Sequence, residues 1–257
     1  MKKLFIVLFA LMAGMTWAQQ SPVTAGSDGK SWTLATRSFI YQIRVSDQGK
    51  VNMFYFGDKS QNPDMLRNPL GEEITVRGGY SATTPMLEAV FKDRVRDIEL
   101  TYEGSEMLTQ DGYATLVIRQ KDNYYPLAVT EYIRVLPEYD LLEKWVEIKN
   151  TGKKGNIEIE NAQSETFFLP KNAYELTHLS GRWGYEYQMN VTKLTQGLKT
   201  IQTKDLRSYG SSFFAIRPEG EQEETCGEVW FGSLQYSGTS GWTLRNMRPA
   251  KFRLPEE

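Results

Sequence analysis

The chain has 257 residues, with 30 Lys plus Arg against 32 Asp plus Glu, one His and one Cys. Its near-even charge excludes the basic footprint of a nucleic-acid binder. The single histidine excludes a multi-histidine metal site, and the lone Cys226 excludes an intrachain disulfide. The length accommodates one large β-domain or two modest ones, because all-β sandwiches run to about 200–250 residues as a single unit.

The first element in chain order is a targeting segment. Lys2 and Lys3 precede an apolar stretch from Leu4 to Met15, followed by Thr16-Trp17-Ala18. A positive start, a short apolar run and small residues at the cleavage position form a signal-peptide layout, and cleavage is expected after Ala18. The competing reading is an uncleaved N-terminal anchor. No later apolar run approaches the roughly 20 residues of a spanning helix. The mature chain is therefore expected off the membrane, in the periplasm or secreted.

Strand-like segments then recur between turn signals: Phe39–Val45, Val51–Phe56, Ala114–Arg119, Leu127–Leu136, Leu142–Lys149, Asn156–Glu160 and Glu228–Tyr236. The first pair flanks Ser46-Asp47-Gln48-Gly49-Lys50, a glycine-containing loop of hairpin length. Ala114, Leu116 and Ile118 alternate with Tyr113, Thr115 and Arg119, which predicts one wet face, with Val117 breaking the pattern. Lys59–Arg77 carries Pro63, Pro69 and Gly71 and reads as a long connection. No amphipathic helical stretch competes, and no repeat or low-complexity tract divides the mature chain. The 14 Tyr, 12 Phe and 6 Trp suit both strand cores and sugar-facing surfaces.

Chemistry-bearing residues are sparse. His178 has no Gly-x-Ser-x-Gly elbow to accompany it, and Gly78-Gly79 and Gly181 lack a phosphate-cradling spacing. A pair of carboxylates about 5–9.5 Å apart is the requirement for glycoside hydrolysis. The available clusters are Glu72-Glu73, Asp140/Glu143, Glu158/Glu160 and Glu219 to Glu224; the last is an acidic loop in a turn, and strand residues at i and i+2 such as Glu158 and Glu160 read as a solvated face. No metal or cofactor is expected, and Cys226 reads as an inert thiol.

Several ordered segments carry a resemblance: Gly78-Gly79-Tyr80-Ser81-Ala82-Thr83-Thr84-Pro85-Met86-Leu87-Glu88, Val95-Arg96-Asp97, Tyr125-Pro126-Leu127-Ala128-Val129-Thr130 and Pro137-Glu138-Tyr139-Asp140. Further along come Trp145-Val146-Glu147-Ile148-Lys149-Asn150-Thr151-Gly152, His178-Leu179-Ser180-Gly181-Arg182-Trp183-Gly184 and Gly227-Glu228-Val229-Trp230-Phe231-Gly232-Ser233-Leu234. From Trp32 to Gly238 the chain resembles the N-terminal domain of glycoside hydrolase family 36 α-galactosidases.

The resemblance implies an all-β fold, a large two-sheet antiparallel β-sandwich of the galactose mutarotase-like supersandwich type. In the family this domain packs against a (β/α)8 barrel, whose two aspartates hydrolyse terminal α-D-galactosides with retention. A barrel needs about 250 further residues. This chain is therefore expected to be inert alone and is assigned no catalytic residue. The implied partners are galactose-containing oligosaccharides and other copies of the chain, in a homo-oligomer of the complete enzyme. In such oligomers an early loop reaches a neighbouring sugar pocket, which makes Asp64 and Arg67, in the Lys59–Arg77 loop, candidate substrate-binding residues. Their competing reading is a plain solvated loop.

Trp183, beside Arg182, is the third candidate, as a sugar-facing indole or as a residue packed at the sandwich edge. The expected organisation is a signal peptide over 1–18, the sandwich domain over 19–238 and a divergent tail over 239–257. In that tail Thr239-Ser240-Gly241-Trp242 departs from the family pattern, as a frameshift or truncation would produce. The alternative function is a stand-alone carbohydrate-binding or scaffold module.

Overall fold

A computed structural model of the chain describes residues 21–60, 68–78, 84–153, 155–170, 172–203, 213–220, 227–235 and 240–246. Among these residues the regular structure is entirely β, in antiparallel sheets with no helix, as the all-β expectation requires. The chain divides into two compact units, Met1–Phe168 and Leu169–Glu257.

The first unit opens with a sheet in the order β1 (Val23–Ala25), β2 (Ser31–Ala35), β3 (Phe39–Val45), β4 (Val51–Asp58) and β5 (Gly71–Glu72). A second sheet is a meander of β7 (Leu100–Gln110), β8 (Tyr113–Asp122), β9 (Leu127–Leu136) and β10 (Leu141–Asn150). A short ribbon pairs β6 (Leu87–Val90) with β11 (Glu158–Ala162). Alternation decides which faces meet. On β9 Leu127, Val129, Glu131, Ile133 and Val135 are all buried, and the residues between them are half-exposed. Trp32, Leu34, Tyr41, Ile43 and Met53 from the first sheet share one core with Leu116, Ile118, Ile133 and Val135 from the second. Each such side chain contributes about 1.5–3 kcal/mol on burial, which holds the two sheets face to face as a sandwich. A second cluster, including Ile74, Met86, Leu87, Phe91, Ile98 and Leu100, adjoins Leu127 and Val129.

The hairpin between β7 and β8 turns on Asp111 and Gly112, which have φ values of 53° and 85°. Two consecutive positive φ angles between residues paired as Gln110 and Tyr113 match the twist of the flanking strands. The expected wet face of β8 is only partly found. Thr115 and Val117 are buried along with Leu116 and Ile118. The cause is position: β8 lies inside its sheet, and the outer-face Val117 is flanked by the longer Glu106 of β7 and Tyr132 of β9.

The second unit holds a sheet in the order β13 (Tyr185–Lys193), β12 (Tyr174–Arg182), β15 (Phe213–Pro218) and β16 (Trp230–Ser233). A ribbon pairs β14 (Gly197–Thr203) with β17 (Ser240–Asn246). Tyr174, Leu176, Phe214, Ile216 and Trp230 are buried. Trp242 of β17 meets the Phe214 ring edge-on at 4.5 Å, so residues beyond Thr239 contribute to packing within this unit.

Candidate functional site

Asp64 and Arg67 lie outside the described residues, as do Ala18, Cys226 and Glu221–Glu224 of the acidic loop. Trp183 is described. It occupies the two-residue turn Trp183–Gly184 between β12 and β13 and is 83% exposed. The turn glycine donates its amide hydrogen to the Glu186 carboxylate at 2.8 Å. Along β13 every second residue from Tyr185 to Val191, namely Tyr185, Tyr187, Met189 and Val191, is exposed and apolar or aromatic. Trp183 thus caps a ladder of open side chains, the kind of contiguous apolar surface that marks a contact or ligand face.

The carboxylate clusters separate once their partners are visible. Asp140 accepts from the Ser38 amide at 3.1 Å and from the Ser38 hydroxyl. Glu143 pairs with Arg134 at 3.0 Å, Glu160 with Arg96 at 2.7 Å and Glu219 with Lys193 at 3.2 Å. These are solvated ion pairs of small energetic weight. His178 sits on β12 with a buried Nδ1 that has no hydrogen-bond partner among the described residues. Burial, assisted by the Lys199 ammonium, lowers its pKa and favours the neutral ring.

Glu73 is not solvated. It is buried between the sheets, where its carboxylate accepts from the Tyr41 hydroxyl at 2.8 Å and pairs with Lys144 at 2.8 Å. The same ammonium reaches Glu131 at 3.1 Å, Glu165 at 2.9 Å and the Tyr41 oxygen at 3.0 Å. Lys144 is 9% exposed, Glu73 0%, Glu131 3% and Glu165 15%. Burial lifts the Glu131 carboxyl to about 8, against the pull of Lys144, and lifts Glu165 to about 7 in the same way. Burial draws Lys144 down, but Glu131, Glu165 and Glu73 outweigh it and hold the amine well above its ordinary value. The ammonium occupies the centre of the three carboxylates, and the low exposure closes the cluster to a substrate.

Sequence reasoning missed this cluster, although a signal was present. Lys144 follows Leu142 and precedes Val146 on the inward face of β10, and Glu131 sits between Val129 and Ile133 on that of β9. On the outer face of the same sheet Tyr132 stacks on Trp145 at 4.9 Å, with the Arg134 guanidinium 5.2 Å from the indole centroid. That arrangement is an arginine–indole contact.

A comparison with protein families matches residues 41–247 to the glycosyl hydrolase family 36 N-terminal domain. The chain belongs to that family. Alpha-galactosidase 2 of Hypocrea jecorina is 31% identical over 129 residues, which cover 49% of this chain and 17% of that protein. Among solved structures, the galactosidase domain of the α-galactosidase-sucrose kinase AgaSK superposes on this family 36 domain with a TM-score of 0.77 and 21% identity. That match covers 87% of this chain and 36% of the other. A family 36 α-galactosidase of Geobacillus stearothermophilus, in complex with stachyose, gives a TM-score of 0.73 at 18% identity over 84% of this chain and 35% of its own. These likenesses establish the fold. The aligned stretches cover between 17% and 35% of the lengths of curated relatives.

Proposed function

We propose that this family 36 domain is the supporting β-sandwich of an exported α-galactosidase that removes terminal α-D-galactose from oligosaccharides with retention of configuration. The match over residues 41–247 carries the reading. The sandwich braces the catalytic barrel and the oligomer and is not catalytic alone. Asp64 and Arg67 are its proposed substrate-binding residues, and the segment ending at Ala18 directs export to the periplasm or beyond. Galactosides of the raffinose and stachyose type are the proposed substrates, in keeping with the stachyose held by the Geobacillus relative.

Domain replacement tests the proposal. The chain from Ser21 onward is joined to the remainder of the Hypocrea enzyme in place of its corresponding N-terminal region, and hydrolysis of 4-nitrophenyl α-D-galactoside is measured. A folded, active chimera supports the reading. A chimera that folds cooperatively and stays inactive, while the Hypocrea enzyme treated identically is active, counts against it.

One observation favours a stand-alone carbohydrate-binding module as the second reading. A cleft of about 400 Å³ is lined by Phe91, Asp93, Tyr125, Asn156 and Ile157, among others. Phe91 and Tyr125 stack at 3.8 Å, and the Tyr125 hydroxyl donates to Asp93 at 2.8 Å. Calorimetry with melibiose and raffinose separates the two. Saturable binding lost in Asp93→Ala favours the module, and no heat at millimolar sugar favours the supporting role.

A further inference from the structure

The buried cluster joins three parts of the first unit that are distant in sequence. Tyr41 on β3 and Glu73 just after β5 come from one sheet, and Glu131 on β9 and Lys144 on β10 come from the other. Glu165 comes from the segment after β11. Other anchors of that segment include a Gln163 amide donating to the Met86 carbonyl at 2.9 Å, a long 3.5 Å contact between Thr166 and Thr75, and the half-buried Phe167 and Phe168. Three carboxylates surround one ammonium. Were all three ionised with Tyr41 neutral, the site would hold two uncompensated negative charges between the sheets, which a low-dielectric interior resists strongly. The Glu131 Oε2 atom is buried and has no hydrogen-bond partner among the described residues, a position better suited to a neutral acid than to a bare charge.

We propose that Tyr41, Glu73, Glu131, Lys144 and Glu165 form a proton-dependent clasp that ties residues 163–168 to both sheets while the carboxylates share protons, and releases that segment when the protons leave. The groups facing the clasp from each packed element are these five: Tyr41 from β3, Glu73 from the end of β5, Glu131 from β9, Lys144 from β10 and Glu165 from the segment itself. Burial is the main force retaining the protons, opposed by Lys144. Both shifted acids lie above their unfolded value. The stability they contribute is therefore complete below about pH 4.5 and is lost as pH rises through about 7 for Glu165 and about 8 for Glu131. Glu165 is the carboxyl that brings the 163–168 segment itself into the cluster.

Amide hydrogen exchange of the intact chain between pH 5.5 and 9, corrected for intrinsic rates, tests the clasp, with Glu165→Gln and Glu131→Gln alongside. In the native sequence protection of residues 163–168 is expected to fall about tenfold or more across that range, one pK unit of coupling being worth a factor of ten. The decline should flatten in both variants. Equal decline in the variants and the native sequence overturns the proposal, as does protection that stays constant to pH 9. Carbon-detected titration of the glutamate carboxyls in the native chain stands independently of variant folding. Two carboxyls titrating above pH 6 support the clasp, and complete ionisation of all glutamates by pH 6 overturns it.

Discussion

Gly71 lies at a close approach inside the first unit. A Cβ at this position would sit 2.3 Å from ring atoms of Phe168, well inside contact distance. Phe168 packs against the buried core. Gly71→Ala is therefore expected to destabilise the chain by about 1–3 kcal/mol through overpacking. In the double variant with Phe168→Leu part of that loss should return, as read from urea unfolding midpoints. Lys144 acts in the opposite sense, by what it neutralises. Lys144→Met removes the only ammonium ion-paired to Glu73, Glu131 and Glu165 among the described residues. A cost of about 3–5 kcal/mol is expected at pH 7.5. The cost should shrink at pH 5, where the carboxylates take up protons. A loss under about 1 kcal/mol at pH 7.5 would show that the cluster is less coupled than its distances indicate.

The β12–β13 hairpin is the element whose surface differs most from that of a self-contained domain. Met189 is 70% exposed in the ladder headed by Trp183. Met189→Lys is expected to leave the melting temperature nearly unchanged, surface changes typically staying within about 0.5 kcal/mol. It should also reduce concentration-dependent self-association in light scattering; association unchanged by the charge would remove this face from the contact surface. Strands with strong β formers were legible in the sequence. Phe39–Val45 and Leu127–Leu136 are found with the expected bounds because Ile, Val, Tyr and Phe dominate them. β7 was not legible. Its sequence LTYEGSEMLTQ carries glycine, glutamates and serine, and its extended form is imposed by pairing with β8 across the Asp111–Gly112 turn. The Asp-Gly pair was the available sign. Trp183 was legible as a residue but not its setting, because exposure at a hairpin tip depends on pairing that a local pattern does not encode. The Lys144 cluster depends likewise on segments from residue 41 to residue 165 converging.

At the scale of the whole molecule, the seventeen described strands, the sandwich of the first unit and the family match describe a β-domain. Lys144, Glu73, Glu131 and Glu165 are engaged with one another in a closed cluster inside the sandwich. The exposed carboxylates at Glu143, Glu160 and Glu219 are occupied by arginine or lysine. Nucleophilic attack at an anomeric carbon requires an accessible carboxylate with a second acid across the ring, and none of these placements supplies that pair. The proposed function gives this domain support of a galactosidase and leaves the hydrolysis to the barrel. The turnover rate of the purified, folded chain on 4-nitrophenyl α-D-galactoside tests that assignment most directly. Release of nitrophenol at the buffer rate is the predicted result. Saturable turnover that survives further purification and is abolished by substitution of a carboxylate in this chain would contradict it.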